Sequence, residues 1–152
     1  MSKAQVTWVG PGLRMLAEAN GGPALVLDSA RPPHGTHTGA SPMELLLMGL
    51  AGCTGMDVIS ILIKKRQPVT GFQVRVEAER APAHPKVYTK IHLEYIIYGE
   101  GVSPKAVERA IALSETIYCS ASAMLGKTAE ITHSYRIVEE RAAPNVPGDE
   151  AL

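Results

Sequence analysis

Two side chains in this sequence are equipped for nucleophilic or redox chemistry: Cys53 and Cys119, the only cysteines among 152 residues. They stand 66 positions apart, so joint chemistry requires the fold to bring them together. Such a pair can reduce a peroxide. One thiolate attacks the O–O bond and becomes a sulfenic acid. The second thiol condenses with it to a disulfide, which an external dithiol then reduces. The same residues also read as two small buried hydrophobes, because free cysteine is among the most buried residue types. Two cysteines make no disulfide framework, and in a reducing cytoplasm a bond between them is transient rather than structural.

A reactive thiol must be kept ionised. Cys53 falls three turns into a predicted helix, beyond the reach of the dipole at its N-terminus. Asp57, one turn further on at i+4, opposes a thiolate nearby when it is ionised. A cation from elsewhere is therefore required, and Arg14 on the first hairpin and Arg31 in the following loop are the candidates. Periodicity does not choose between them. His34 and His37 form an H-x-x-H in a loop rich in Pro and Gly. No helix fixes their geometry and no third ligand is near in sequence, so they read as solvated histidines and no metal site is expected. His133 falls on the apolar side of the last predicted strand, where a buried histidine with one hydrogen bond is the default. No glycine-rich phosphate loop follows a strand, which leaves a nucleotide function unsupported.

The elements that must position these residues are legible in the pattern. Gln5 to Val9 is a short strand. Leu13 to Ala19 and Ala24 to Asp28 flank Asn20-Gly21-Gly22, a hairpin signal because Asn and Gly tolerate positive φ. Ser29 to Ala40 has no apolar periodicity and is a loop. A long helix follows. Ser41 is its N-cap, Pro42 its first residue, and Glu44 completes a capping box. Lys64, Lys65 and Arg66 complement the dipole at the other end, and Pro68 stops the helix. Phe72 to Glu79 and Val87 to Tyr98 alternate as strands around the turn Ala81 to Pro85. Ser103-Pro104 opens a second helix whose apolar stripe runs to Gly126; periodicity leaves open a break near Cys119. Glu130 to Glu140 is a final strand. The order βββ-α-ββ-α-β lacks regular βαβ alternation, so the expected fold is α+β with an antiparallel sheet and a long buried central helix. Residues 1–140 form one domain on this reading, and 141–152 a flexible tail.

Composition limits the partners. Lys plus Arg and Asp plus Glu are 15 each, so zero net charge offers no electrostatic footprint for nucleic acid or an anionic membrane. Leu45 to Ile63 is long enough to span a bilayer, but it carries three glycines and Asp57, and a midspan Asp costs about 2.5–3.5 kcal/mol. A helix buried on most sides by its own protein is the better reading. Without a secretory signal at the start, the cytoplasm is the expected compartment. One small sheet covers only part of a helix apolar nearly all round, which calls for a second helix and a partner subunit.

The stretch SPMELLLMGLAGC, Ser41 to Cys53, resembles the central-helix motif of the OsmC/Ohr family, the osmotically induced and organic hydroperoxide resistance proteins. YCSASAMLGKTAEITHSY, around Cys119, is similar to that family's second motif, and the cysteine spacing agrees. The resemblance covers about residues 4 to 138. It implies an intertwined α+β homodimer with interface sites that reduce organic and inorganic hydroperoxides. Carried over, Cys53 is the peroxidatic cysteine and Cys119 the resolving one. The resemblance further implies a lipoyl-type dithiol reductant and no metal, haem or flavin cofactor.

Three departures suggest a YhfA-like side branch. The family's peroxidase branches place a glutamate ten positions before the reactive cysteine. Here Met43 stands there and Glu44 is nine before, about 100° of helix rotation away. The family arginine position falls on Gly12, with Arg14 two residues later on the same strand face. Ser120 follows the second cysteine, where Pro is frequent. Loss of peroxidase activity, leaving a protein that binds a hydrophobic small molecule at the dimer interface, is the alternative implied.

Overall fold

The computed structural model describes residues 1–139; the predicted tail, 141–152, lies outside them. The chain packs as two compact units, Met1–Met48 and the residues from Gly49 onward.

The first unit is a three-stranded antiparallel sheet, β1 Ala4–Trp8, β2 Met15–Ala19 and β3 Leu25–Leu27, in that order. Asn20 and Gly21 adopt φ of 51° and 69° between β2 and β3. That is the left-handed turn the Asn-Gly-Gly signal requires. The following loop is anchored by Asp28, only 2% exposed. Its carboxylate accepts from Thr36 Oγ1 (2.6 Å), Thr38 Oγ1 (2.8 Å), and the amides of Ser29 (2.7 Å) and Thr38 (3.0 Å). These donors, the Thr36 hydroxyl first, hold the carboxyl well below the usual carboxylate range.

Helix α1, Pro42–Lys64, starts at the expected capping box. The Glu44 carboxylate accepts from the Ser41 amide at 2.6 Å, and Ser41 Oγ accepts from the Glu44 amide at 3.3 Å. The helix is long and apolar enough to cross a membrane, yet it packs as a core helix. Leu50, Thr54, Val58 and Leu62, spaced by four, are fully buried. Fully burying each of the three aliphatic ones contributes roughly 1.5–3 kcal/mol. That stripe is the helix's buried face, while Met56 and Ile63 remain 74% and 65% exposed.

In the second unit α1 lies on a sheet ordered β4 Gly71–Arg80, β5 Tyr88–Tyr98, β6 Glu130–Val138. A Cβ on Gly55 would sit 3.3 Å from Val74 and 3.5 Å from Phe72, so the missing side chain lets helix and sheet approach closely. Ile91, Leu93, Tyr95 and Ile97 of the central strand β5 are buried. β4 pairs antiparallel with β5, as expected, whereas β6 pairs parallel, Ile91 opposite Ile131 and Tyr95 opposite Tyr135. The physical reason is the helical connection between β5 and β6, which returns the chain to the starting end of the sheet.

That connection is not one helix. Helix α2, Pro104–Leu113, capped by Ser103, widens into a π turn at Ser114–Tyr118, breaks at Cys119, and resumes as α3, Ser120–Leu125. The Cys119 amide donates five residues back to the Ser114 carbonyl at 2.8 Å. Thr116 Oγ1 donates to the Ala112 carbonyl at 2.6 Å.

Candidate functional site

The break at Cys119 is where the two thiols meet. Cys53 Sγ, Cys119 Sγ and a carboxylate oxygen of Asp57 all lie within 4.8 Å of one another. Cys53 and Asp57 are one turn apart on α1 and share a face. Cys119, only 3% exposed, comes to them from the end of the π turn. Its extended backbone (φ −75°, ψ 98°) makes it the N-cap of α3, and its sulfur accepts from the Ser122 amide at 3.4 Å. Both cysteines are free thiols. Burial pushes the Cys119 thiol above its ordinary pKa, opposed by the Ser122 hydrogen bonds and reinforced by Cys53.

Asp57 is positioned by a file of buried hydroxyls. Ser114 Oγ donates to its carboxylate at 3.0 Å, Thr54 Oγ1 lies 2.9 Å from Ser114 Oγ, and the Tyr95 hydroxyl lies 2.6 Å from Thr54. Each hydroxyl has one proton. With Ser114 donating to the carboxylate, Thr54 must donate to Ser114 and Tyr95 to Thr54. Tyr95 keeps its proton: burial, above all, raises its pKa to about 12. Nothing in the periodicity marks Thr54 or Ser114 as functional, since both occupy apolar-stripe positions of their helices.

The other expected site residues have hydrogen-bond partners of their own. Arg14, in the first unit, donates to Thr38 Oγ1 (2.9 Å) and Thr36 Oγ1 (3.2 Å), the hydroxyls that hold Asp28. It forms a hydroxyl-bridged ion pair that organises the loop. Glu44 is engaged in the helix cap, as its capping-box spacing predicts. His133 corrects the expectation of a buried ring: its side chain is 40% exposed and its Nδ1 lies 2.6 Å from a Glu115 carboxylate oxygen, a polar contact joining β6 to the π turn.

A family profile described as OsmC-like protein matches residues 35–134. The chain belongs to the OsmC-like family. Protein YhfA of Escherichia coli K12 is 40% identical over 136 residues, covering 90% of this chain and 98% of the relative. The crystal structure of a hypothetical protein from Aquifex aeolicus VF5 superposes with a TM-score of 0.75 at 30% identity, covering 91% of this chain and 98% of that one. An organic hydroperoxide resistance protein OsmC from Legionella pneumophila shares the fold, with a TM-score of 0.66 at 17% identity over 89% and 96% of the two chains.

Proposed function

We propose that this OsmC-like chain is a thiol-dependent reductase of organic hydroperoxides, working as a cytoplasmic homodimer. The observation that carries the reading is the meeting of two sulfurs from distant sequence positions at a break in a helix. The description of the Legionella relative as a hydroperoxide resistance protein supports the same chemistry. The Cys53 thiol attacks the distal peroxide oxygen; the O–O bond breaks, an alcohol leaves, and Cys53 becomes a sulfenic acid. The Cys119 thiol then attacks that sulfur and water leaves as the disulfide forms. A dithiol of the lipoyl type restores both thiols while becoming a disulfide itself.

The test is hydroperoxide consumption with dihydrolipoamide as reductant. Cys53→Ser should abolish turnover. Cys119→Ser should leave a sulfenic acid on Cys53 that a dimedone adduct reveals. Equal consumption by wild type and Cys53→Ser would overturn the proposal.

The partner subunit is proposed from the apolar surface that α1 leaves uncovered, Met56 and Ile63 above all. A compact monomer in sedimentation at micromolar concentration would count against it. A second reading rests on the shallow apolar hollow of about 360 Å³ between α1 and β4, lined by Gly52, Gly55, Met56, Ile59, Phe72 and Val74. There the chain binds a hydrophobic small molecule and the thiols stand idle. Saturable binding of an apolar dye, lost in Gly52→Phe, together with no peroxide consumption, would favour it.

A further inference from the structure

The carboxylate beside the sulfurs is out of place if the site serves thiol chemistry alone. An ionised Asp57 within 4.8 Å of Cys53 and Cys119 repels a thiolate on either of them. The same three groups are a coherent donor set for a cation. From the Cys53–Cys119–Asp57 cluster we infer a binding site for Zn²⁺, held by the two sulfurs and one Asp57 oxygen, with a fourth position open to water.

Donor chemistry selects the ion. Thiolates exclude Mg²⁺ and Ca²⁺, which take oxygen ligands, and two sulfurs with one carboxylate suit zinc. Distance permits it. Ligand atoms on a tetrahedral zinc lie about 3.3–3.8 Å apart, given bonds of about 2.0–2.3 Å. The three atoms are already within 4.8 Å of one another, so small side-chain rotations close the shell. Charge favours it as well, since a dication offsets negative charge on its sulfur and carboxylate donors.

The surroundings already resemble an outer shell. Ser114 Oγ donates to Asp57 and is itself held by Thr54 and Tyr95; the Ser122 amide donates to Cys119. Hydrogen bonds of this kind orient ligands and tune their affinity. The histidines His34 and His37, the sequence's other metal-like pattern, lie in the first unit. Zinc and the disulfide exclude each other, because a disulfide offers no thiolate ligand. Zinc binding uses the same sulfurs as the proposed reaction but does not rest on peroxide reduction.

The experiment is a zinc titration of the reduced, chelator-stripped full chain against a chromophoric chelator, without peroxide, followed by Co²⁺ substitution. The expected result is one ion per chain, with a sulfur-to-cobalt charge-transfer band that disappears in Cys53→Ser and in Cys119→Ser. Ser114→Ala should weaken zinc binding by about 10–100-fold, the range for loss of an outer-shell partner. Asp57→Asn, nearly the same shape, should weaken it at least as much. Zinc affinity no greater for the folded chain than for the chain in urea would overturn the inference. So would binding unchanged in both Cys53→Ser and Asp57→Asn. Because no turnover is involved, failure here leaves the peroxide assay unaffected, and the reverse holds too.

Discussion

Thr54→Val asks whether the buried hydroxyls act as one file. Valine keeps nearly the shape of threonine and loses Oγ1, which lies 2.6 Å from the Tyr95 hydroxyl and 2.9 Å from Ser114 Oγ. All three residues have 0% exposure, so water cannot replace the lost partner. The Tyr95 O–H becomes a buried donor without its acceptor, at about 1–3 kcal/mol, and Ser114 loses its incoming bond, at roughly 1 kcal/mol more. The expected destabilisation is about 2–4 kcal/mol, a large share of the 5–15 kcal/mol typical of a domain. Tyr95→Phe removes the orphaned donor. In the Thr54→Val background it should therefore do little further harm, and the double variant should be more stable than the two single losses predict by about 1–3 kcal/mol. The assay is urea unfolding of the reduced chain, comparing four midpoints at a common slope. Strict additivity would refute the directional chain from Tyr95 through Thr54 and Ser114 to Asp57.

Four further outcomes follow from the geometry. Ser41→Ala removes the acceptor for the Glu44 amide at the start of α1 and should destabilise the chain by about 0.5–2 kcal/mol in urea unfolding. The Ser41 amide also holds the Glu44 carboxyl below its ordinary range, a contribution fully present above the unfolded pKa and lost as pH falls through the folded one. The wild-type advantage over Glu44→Gln should therefore shrink in acid, and an advantage independent of pH would refute the role of the charge. Asp28, depressed by Thr36, Thr38 and Ser29, behaves the same way: stability should erode as pH drops below about 4, a slope that Asp28→Asn should lack in acid titration of the unfolding midpoint. Gly99, at φ 153°, has the Pro68 carbonyl oxygen in the space a Cβ would take, so Gly99→Ala should destabilise the chain by more than backbone strain alone, about 1–3 kcal/mol, and lower its thermal midpoint; an unchanged midpoint would contradict that packing.

Local signals in the sequence were reliable where the physics is local. The Asn20-Gly21 turn, the Ser41–Glu44 box and the Ser103 cap depend on residues within four positions of each other, and each forms as its pattern predicts. The parallel pairing of β6 with β5 was not legible, since strand direction depends on how the whole intervening segment crosses the sheet. The π turn escaped because inserting one residue shifts a helical stripe without erasing it. The site was half visible. The cysteines announce themselves by type, and Asp57 by its i+4 spacing. Ser114 and Tyr95, 60 and 41 positions from Thr54, join it only through tertiary packing. Asp28 gave no signal either, because its partners Thr36 and Thr38 sit in a loop with no period at all.

The electrostatics of the cluster ties the two proposed activities to one requirement. Among the described residues of the second unit, the sulfurs meet each other, the Asp57 carboxylate and Ser122. Burial and the second thiol both act against ionisation of Cys119, and Ser122 opposes them through its side chain and its amide. A thiolate in that setting needs positive charge brought to it. A guanidinium would provide a standing charge and leave the sulfurs open to peroxide; a zinc ion would provide the charge by occupying them. Alkylation separates the two cases. Under the zinc reading, iodoacetamide should modify the reduced chain more slowly with equimolar zinc than after chelator treatment, and the protection should weaken in Ser114→Ala. Under a guanidinium alone, the metal should leave the rate unchanged, since no ligand sulfur is withdrawn from solvent. Identical rates with and without zinc would thus refute the zinc reading and leave Asp57 as the terminus of the hydroxyl file.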